Sequence, residues 1–373
     1  MPTILDARTI SNRFPGIGRY GYQLARAIAR QKDRDELVLL TNPGSSTRFK
    51  IADLALEPRV RIVPTEARPF TAREQLLLPG ELRKLRPDVT HFPYFVMPCL
   101  APRPAVLTIH DLIPARLPRL FTFRQRILYR ASLSLALRAA AVVICISQAT
   151  QSDLQSLCRV DRARTVVIPE AAADTFQPRT AEEIERVRAA HQLPGDYTLF
   201  VGSNKPHKNL PALIEAYSGV PGAPALVIAG HEDPRDDGAR RVVERLNLTE
   251  RVRFAGGILE DDLPALYSGA RAFIFPSLYE GFGLPPLEAM ACGVPVACSG
   301  IPSLRETAGD AALYFDPKDK GSIAGALERI LVDGALRADL RIRGLRRASE
   351  LSWDVTAKKT LQAYQLAQTL IRD

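Results

Sequence analysis

Short apolar runs recur along the chain, separated by longer stretches of mixed polarity. In the first half these are Thr3 to Leu5, Leu37 to Leu40, Val60 to Val63, Val89 to Phe92, Val106 to Ile109, Val142 to Ile146 and Val166 to Ile168. In the second half they are Leu199 to Val201, Ala225 to Ile228, Val252 to Phe254, Ala272 to Phe275, Val294 to Ala297 and Leu313 to Phe315. Helical patterns, notably Gly21 to Arg30 and Arg124 to Ala140, lie between many of them. Strand–helix alternation of this kind predicts a parallel sheet with helices on both faces. The scheme is laid down twice, and 373 residues exceed one ordinary core. The reading is α/β, with two Rossmann-like, doubly wound domains. They cover residues 1–170 and 180–352, with a linker around Glu170 to Arg179 and a helical tail, 353–373, that crosses back to the first domain.

Charge changes this picture in one half only. Residues 1–175 hold 26 Lys and Arg against 15 Asp and Glu; the rest holds 24 against 26. Arg116, Arg119, Arg124, Arg126, Arg130 and Arg138 follow Asp111 with no acid among them, and Leu128, Leu133, Leu135 and Leu137 interleave. That pattern suits either a helix on an anionic membrane surface or an ordinary solvated helix face. No nucleic-acid motif accompanies the charge, so nucleic acid is not expected as a partner. No apolar run is long enough to span a membrane, and no signal peptide is read at the N-terminus. The five cysteines form no C-x-x-C pair and read as thiols of a reducing cytosol. A cytoplasmic enzyme, with peripheral membrane association as an option, is the expectation.

The densest chemistry lies at residues 275–296, F-P-S-L-Y-E-G-F-G-L-P-P-L-E-A-M-A-C-G-V-P-V. A strand leads into Glu280, a Gly281-Phe282-Gly283-Leu284 turn and a helix start carrying Glu288. Backbone N–H groups at such a turn, with the helix dipole behind them, favour an anion. Glu280 suits sugar hydroxyls and Glu288 a ribose. The plainer alternative is a capped helix and a solvated loop. The string resembles the E-x7-E segment of the retaining family 4 glycosyltransferases, also called glycosyltransferase group 1. The resemblance covers nearly the whole chain. It implies a GT-B fold, two domains facing a cleft, and transfer of a hexose from a nucleoside diphosphate sugar.

Other segments are read beside that resemblance. G-S-N-K-P-H-K-N, residues 202–209, puts Gly202 and Ser203 after a strand and Lys208 before a helix, where a mobile cation suits a diphosphate. It departs from the family at Ser203 and His207, where arginines are common. H-D-L-I-P, residues 110–114, resembles a segment whose histidine contacts the donor sugar, so the catalytic set is Glu280, His110 and Lys208. Tyr94 and Phe95 of H-F-P-Y-F resemble an acceptor-side loop of mannosyltransferase-like members and serve sugar stacking or core packing. Arg19 joins them on the acceptor side. The nucleotide base is expected near Ile258, which follows Gly256-Gly257, through backbone groups. Ser147-Gln148-Ala149-Thr150 reads as a helix cap.

Gly16, Gly18 and Gly21 spell G-x-G-x-x-G. A dinucleotide fingerprint opens its helix directly after the strand and has an acid about 20 positions on. Here Ala7 to Pro15 intervene, and the second strand runs into Thr41-Asn42-Pro43. The favoured reading is a flexible donor-side loop; an NAD-dependent enzyme and a non-catalytic nucleotide-sugar binder stay as alternatives. Asp33-Arg34-Asp35 reads as a charged surface turn, and no metal site or cofactor is expected. The donor leans to GDP-mannose, the acceptor to a glycan or lipid-linked hydroxyl in cell-surface polysaccharide synthesis. UDP-, dTDP- or ADP-linked glucose or rhamnose are the other donors.

Overall fold

The thirteen apolar runs form thirteen parallel strands. They are β1 (Thr3–Asp6), β2 (Leu37–Thr41), β3 (Val60–Pro64), β4 (Val89–Phe92), β5 (Ala105–Ile109), β6 (Val142–Cys145), β7 (Thr165–Val167), β8 (Tyr197–Val201), β9 (Ala225–Ala229), β10 (Val252–Gly256), β11 (Ala272–Phe275), β12 (Val296–Ser299) and β13 (Ala312–Phe315). The computed structural model describes residues 2–31, 35–45 and 47–372. Asp33 and Arg34 of the D-R-D turn lie outside the described residues.

The chain divides into two compact units, Met1–Glu170 with Ser352–Asp373, and Ala171–Leu351. In the first the strand order is β3-β2-β1-β4-β5-β6-β7, and in the second β10-β9-β8-β11-β12-β13. β1 pairs with β2 on one side and β4 on the other, Leu5 facing both Leu39 and His91. β8 stands likewise between β9 and β11. Each sheet therefore reverses its winding once, and the crevice at the carboxyl ends of the strands beside that reversal is where doubly wound sheets bind ligands.

Helices cover both faces of each sheet, so the central strands are buried throughout and read as continuous apolar runs rather than as alternations. Helix ends are set by side chains. Thr122 with Gln125, and Thr180 with Glu183, form reciprocal capping boxes at Phe123–Ala139 and Ala181–Ala190. Phe273, Phe275 and Phe200 stack through the second core, and Tyr267 tilts against Phe273.

The final helix, Trp353–Arg372, packs on the first-unit helix Pro15–Ala29 and on β4, β5 and β6. It is held by buried polar contacts. Tyr364 Oη lies 2.7 Å from His91 Nδ1, and Thr356 Oγ1 donates to the Pro169 carbonyl at 2.8 Å. His91 Nε2 continues to Thr108 Oγ1 at 2.7 Å, which meets Tyr20 Oη at 3.1 Å. Burial, with His110 nearby, pushes His91 down to about 3, so this network carries no cation at neutral pH.

Candidate active site

In the second unit the reversal lies between β8 and β11. After β8 the chain turns through Pro206–Lys208 into the helix Leu210–Ser218. After β11 it runs through residues 276–283 into the helix Leu284–Ala291. The two turns bring Lys208 Nζ within 2.7 Å of Glu280 Oε1, with only 14% and 12% of the side chains exposed. The ammonium also sits 4.9 Å from the Phe275 ring centroid. A mostly desolvated cation between a carboxylate and an aromatic face is strongly oriented, and a diphosphate placed here competes with Glu280 for it.

The turns are tied together. Asn209, at φ +61°, donates to the Pro276 and Pro317 carbonyls at 3.2 and 2.8 Å. The His207 carbonyl accepts from Leu278 N–H at 2.8 Å. Burial and the neighbouring Lys208 push the His207 imidazole down to about 4, so it adds no charge where the resembling segment often carries arginine. Gly202 and Ser203 are half-buried in the same turn. Gly230 passes so near that a side chain there would stand 2.1 Å from the Gly202 carbonyl oxygen.

Gly283 starts the second turn's helix at φ +113°, and a Cβ on it would meet Leu304 at 2.4 Å. The next residues are Leu284-Pro285-Pro286, so the first turn of this helix keeps the N–H of Leu284 and lacks the two after it. An anion at this terminus is met mainly by the Gly283 and Leu284 amides. Phe282 is buried and its carbonyl accepts from Thr307 Oγ1 at 2.7 Å, so it fixes the turn from beneath. Gly281 is buried beside it. Glu288 is 1% exposed, too deep in the helix to cap it, and its Oε2 accepts from Tyr267 Oη at 3.0 Å. Ile258 is buried and belongs to the hydrophobic core of the second unit.

In the first unit His110 follows β5. Its Nδ1 lies 3.0 Å from Glu170 Oε1 and its Nε2 2.9 Å from the Pro93 carbonyl oxygen. Both neighbours only accept, so the two contacts together require N–H on both ring nitrogens, the cationic form. Burial opposes that charge; the hydrogen bond and charge of Glu170, the Pro93 carbonyl and Asp111 outweigh it and hold His110 above the usual histidine value. Tyr20 stands edge-on to His110 at 4.7 Å, backed by Trp353 at 5.8 Å.

The glycines read as a flexible loop are helical instead. Gly16 and Gly18 lie in the first turn of Pro15–Ala29, where Pro15 fixes the opening dihedral. Gly18 is buried, and a Cβ there would come 3.2–3.3 Å from backbone atoms of Thr9 and Ser11; Gly21 meets Ile10 in the same way. Close packing of this helix on residues 9–11 accounts for both. Gly16 is exposed with open space around it. Arg19, on the same helix, is half-buried. Tyr94 and Phe95 are half-buried after β4, their rings 4.4 Å apart. Ser147 caps the helix Gln148–Cys158, accepting from Thr150 N–H at 3.0 Å.

Of the arginine-rich stretch, Arg124, Arg126, Arg130 and Arg138 lie on the helix Phe123–Ala139. Tyr129, Leu133 and Leu137 face the core, while Phe123, Ile127, Leu128 and Leu135 are exposed among the arginines. Arg116, in the short helix Ile113–Arg116 before it, pairs with Asp153. No helix among the described residues is long and apolar enough to cross a membrane.

Sequence reading missed Glu170, Tyr20, Thr108 and Tyr267. Their partners lie 60, 88, 17 and 21 residues away, and no local motif marks them.

Two family models match the chain: Glycosyltransferase Family 4 over residues 15–172 and Glycosyl transferases group 1 over residues 182–347. The chain is 32% identical to O-antigen chain mannosyltransferase B of Escherichia coli, over 98% of this chain and 100% of that one. In fold it is similar to sucrose-phosphate synthase of Thermosynechococcus elongatus, with a TM-score of 0.78 at 23% identity and full coverage of both chains. It is similar also to WaaG, a glycosyltransferase involved in lipopolysaccharide biosynthesis, with a TM-score of 0.75 at 16% identity, covering 96% of this chain and 98% of that one.

Proposed function

This chain belongs to the group 1, family 4 glycosyltransferases, and on that premise we propose that it moves mannose from GDP-mannose to a hydroxyl of a glycan or lipid-linked acceptor, with retention at the anomeric carbon. The observation that carries the reading is the Lys208–Glu280 ion pair at the winding reversal of the second sheet, with Glu288 buried one helix turn beyond.

Lys208 and the Gly283 and Leu284 amides take the charge that grows on the leaving diphosphate, preorganised and largely out of water. Glu280, released from Lys208 by the phosphate, turns to the hydroxyls of the sugar. Glu288, its Oε2 fixed by Tyr267, accepts from the ribose. In the first unit His110, charged and held by Glu170, is assigned to the transferred hexose, and Arg19, Tyr94 and Phe95 to the acceptor. The C1–O bond to phosphate breaks, the bond from C1 to the acceptor oxygen forms on the same face, and the acceptor proton leaves on the diphosphate. The products are GDP and a glycan longer by one mannose. Lys208 and backbone N–H groups supply the positive field, so transfer is proposed to need neither metal nor cofactor. The mannosyltransferase relative supports the choice of sugar. The exposed apolar and basic side chains of Phe123–Ala139 support contact with an anionic membrane face, where a lipid-linked acceptor resides.

Turnover with GDP-, UDP-, dTDP- and ADP-linked hexoses, with and without EDTA, tests this. GDP release from GDP-mannose that EDTA leaves unchanged is the expected result. Turnover confined to another donor, or lost with EDTA, removes the corresponding part of the reading.

A further inference from the structure

Residues 65–71, T-E-A-R-P-F-T, link β3 to the helix Ala72–Leu85. Phe70 sits near the end of this segment at φ +64°, in the left-handed region, with 45% of its surface exposed. That conformation is costly for a bulky residue and persists only where the surroundings enforce it. Here they do. Phe70 N–H donates to Glu74 Oε2 at 3.0 Å, while Glu74 Oε1 accepts from Arg8 Nη2 at 2.7 Å. Arg8, fully buried, also binds both Asp6 oxygens, at 2.7 and 2.6 Å, and the Ala67 carbonyl at 2.7 Å. A buried cation with two carboxylates thus fixes both the middle and the end of a loop that puts a phenyl ring on the surface.

The ring has company. Phe70 stacks on Phe14 at 5.6 Å and 28°, and stands edge-on to Tyr94 at 5.7 Å and to Phe95 at 6.3 Å. Phe95 leads on to Tyr129 at 5.0 Å. Phe14, Phe70 and the Tyr94–Phe95 pair follow the carboxyl ends of β1, β3 and β4, of which β1 and β4 flank the winding reversal of the first sheet. The Tyr129 hydroxyl is buried and has no hydrogen-bond partner among the described residues. Burial, with the Asp111 carboxylate adding to it, pushes the Tyr94 and Tyr129 hydroxyls above the usual phenol range. A lipid tail laid here would leave phenols facing hydrocarbon. A sugar ring offers an apolar C–H face to the aromatics and hydroxyls to the polar groups.

We infer that Phe70, with Phe14 and Tyr94, forms a stacking platform for the apolar face of an acceptor pyranose. The inference rests on the glycan-acceptor reading above. Phe70→Ala is expected to raise KM for mannotriose and for octyl mannotrioside alike, by about tenfold, with KM for GDP-mannose unchanged. Phe70→Trp restores the acceptor KM. An unmoved acceptor KM, a loss confined to the octyl compound, or an equal rise in the donor KM overturns the platform. Binding is read apart from turnover by the emission difference between Phe70→Trp and the parent protein on adding mannotriose alone. A response upholds the platform even if no transfer to mannotriose occurs, in which case the acceptor reading falls instead. Turnover without any response overturns the platform.

Discussion

Lys208 and Glu280, 72 residues apart in sequence, meet as a 2.7 Å ion pair because β8 and β11 are neighbours and both end at the same edge of the second sheet. Removing either partner leaves a mostly buried charge uncompensated. Lys208→Ala is expected to lower kcat by about 100- to 1,000-fold, the range for losing one preorganised donor to a developing oxyanion. Steady-state kinetics with GDP-mannose checks it. Near-parental turnover would remove Lys208 from the chemistry.

Glu288 and Tyr267 form the second pair of that unit. Glu288→Ala should weaken GDP binding by about 1.5–3 kcal/mol, as a charged acceptor is lost. Tyr267→Phe should cost less, because it frees the carboxylate without removing it. Titration calorimetry with GDP ranks the two, and equal affinity in all three proteins would place Glu288 outside the site.

The first unit offers a pH test. His110 titrates above its unfolded value of about 6.5. Its pairing with Glu170 therefore stabilises the fold fully below about pH 6.5, and that part is lost as pH rises through the raised folded value. The difference in melting temperature between the parent protein and Glu170→Gln should be largest near pH 6 and shrink towards pH 9. A difference that grows with pH would show the pair to be uncharged.

Two glycines separate packing from ligand contact. Gly283→Ala forces a methyl into Leu304 at a φ of +113° and should destabilise strongly. Gly16→Ala, exposed and helical, should stabilise by about 0.4–1 kcal/mol. Thermal melts check both. A fall in activity of Gly16→Ala without loss of stability would restore the backbone of Gly16 to the donor site.

The thirteen strands of the described residues were legible as apolar runs, the central ones because strands buried on both faces leave no other pattern. The positions of Lys208 and Glu280, at turns after strands, and of Glu288, in the helix that follows, were legible from the order of apolar run, glycine turn and helix start. The start of the helix Pro15–Ala29 was not, since the helical reading began only at Gly21. Gly16, Gly18 and Gly21 are poor helix formers, and what favours glycine at 18 and 21, the close approach to residues 9–11, is tertiary. Glu170 looked like linker because its role depends on a histidine 60 residues away. Phe70 lay in a segment with no motif, and only the Arg8–Glu74 contact, 66 residues long in sequence, accounts for its placement.

The central claim is retaining transfer of mannose, and the configuration of the product tests it most directly. The protein is incubated with GDP-mannose and a lipid-linked glycan acceptor, and the one-bond C–H coupling at the new anomeric carbon is measured by NMR. An α-linked mannose, formed from the α-linked donor, is the predicted result. A β-linked product, or GDP-mannose left intact beside an acceptor elongated from another nucleotide sugar, would contradict it.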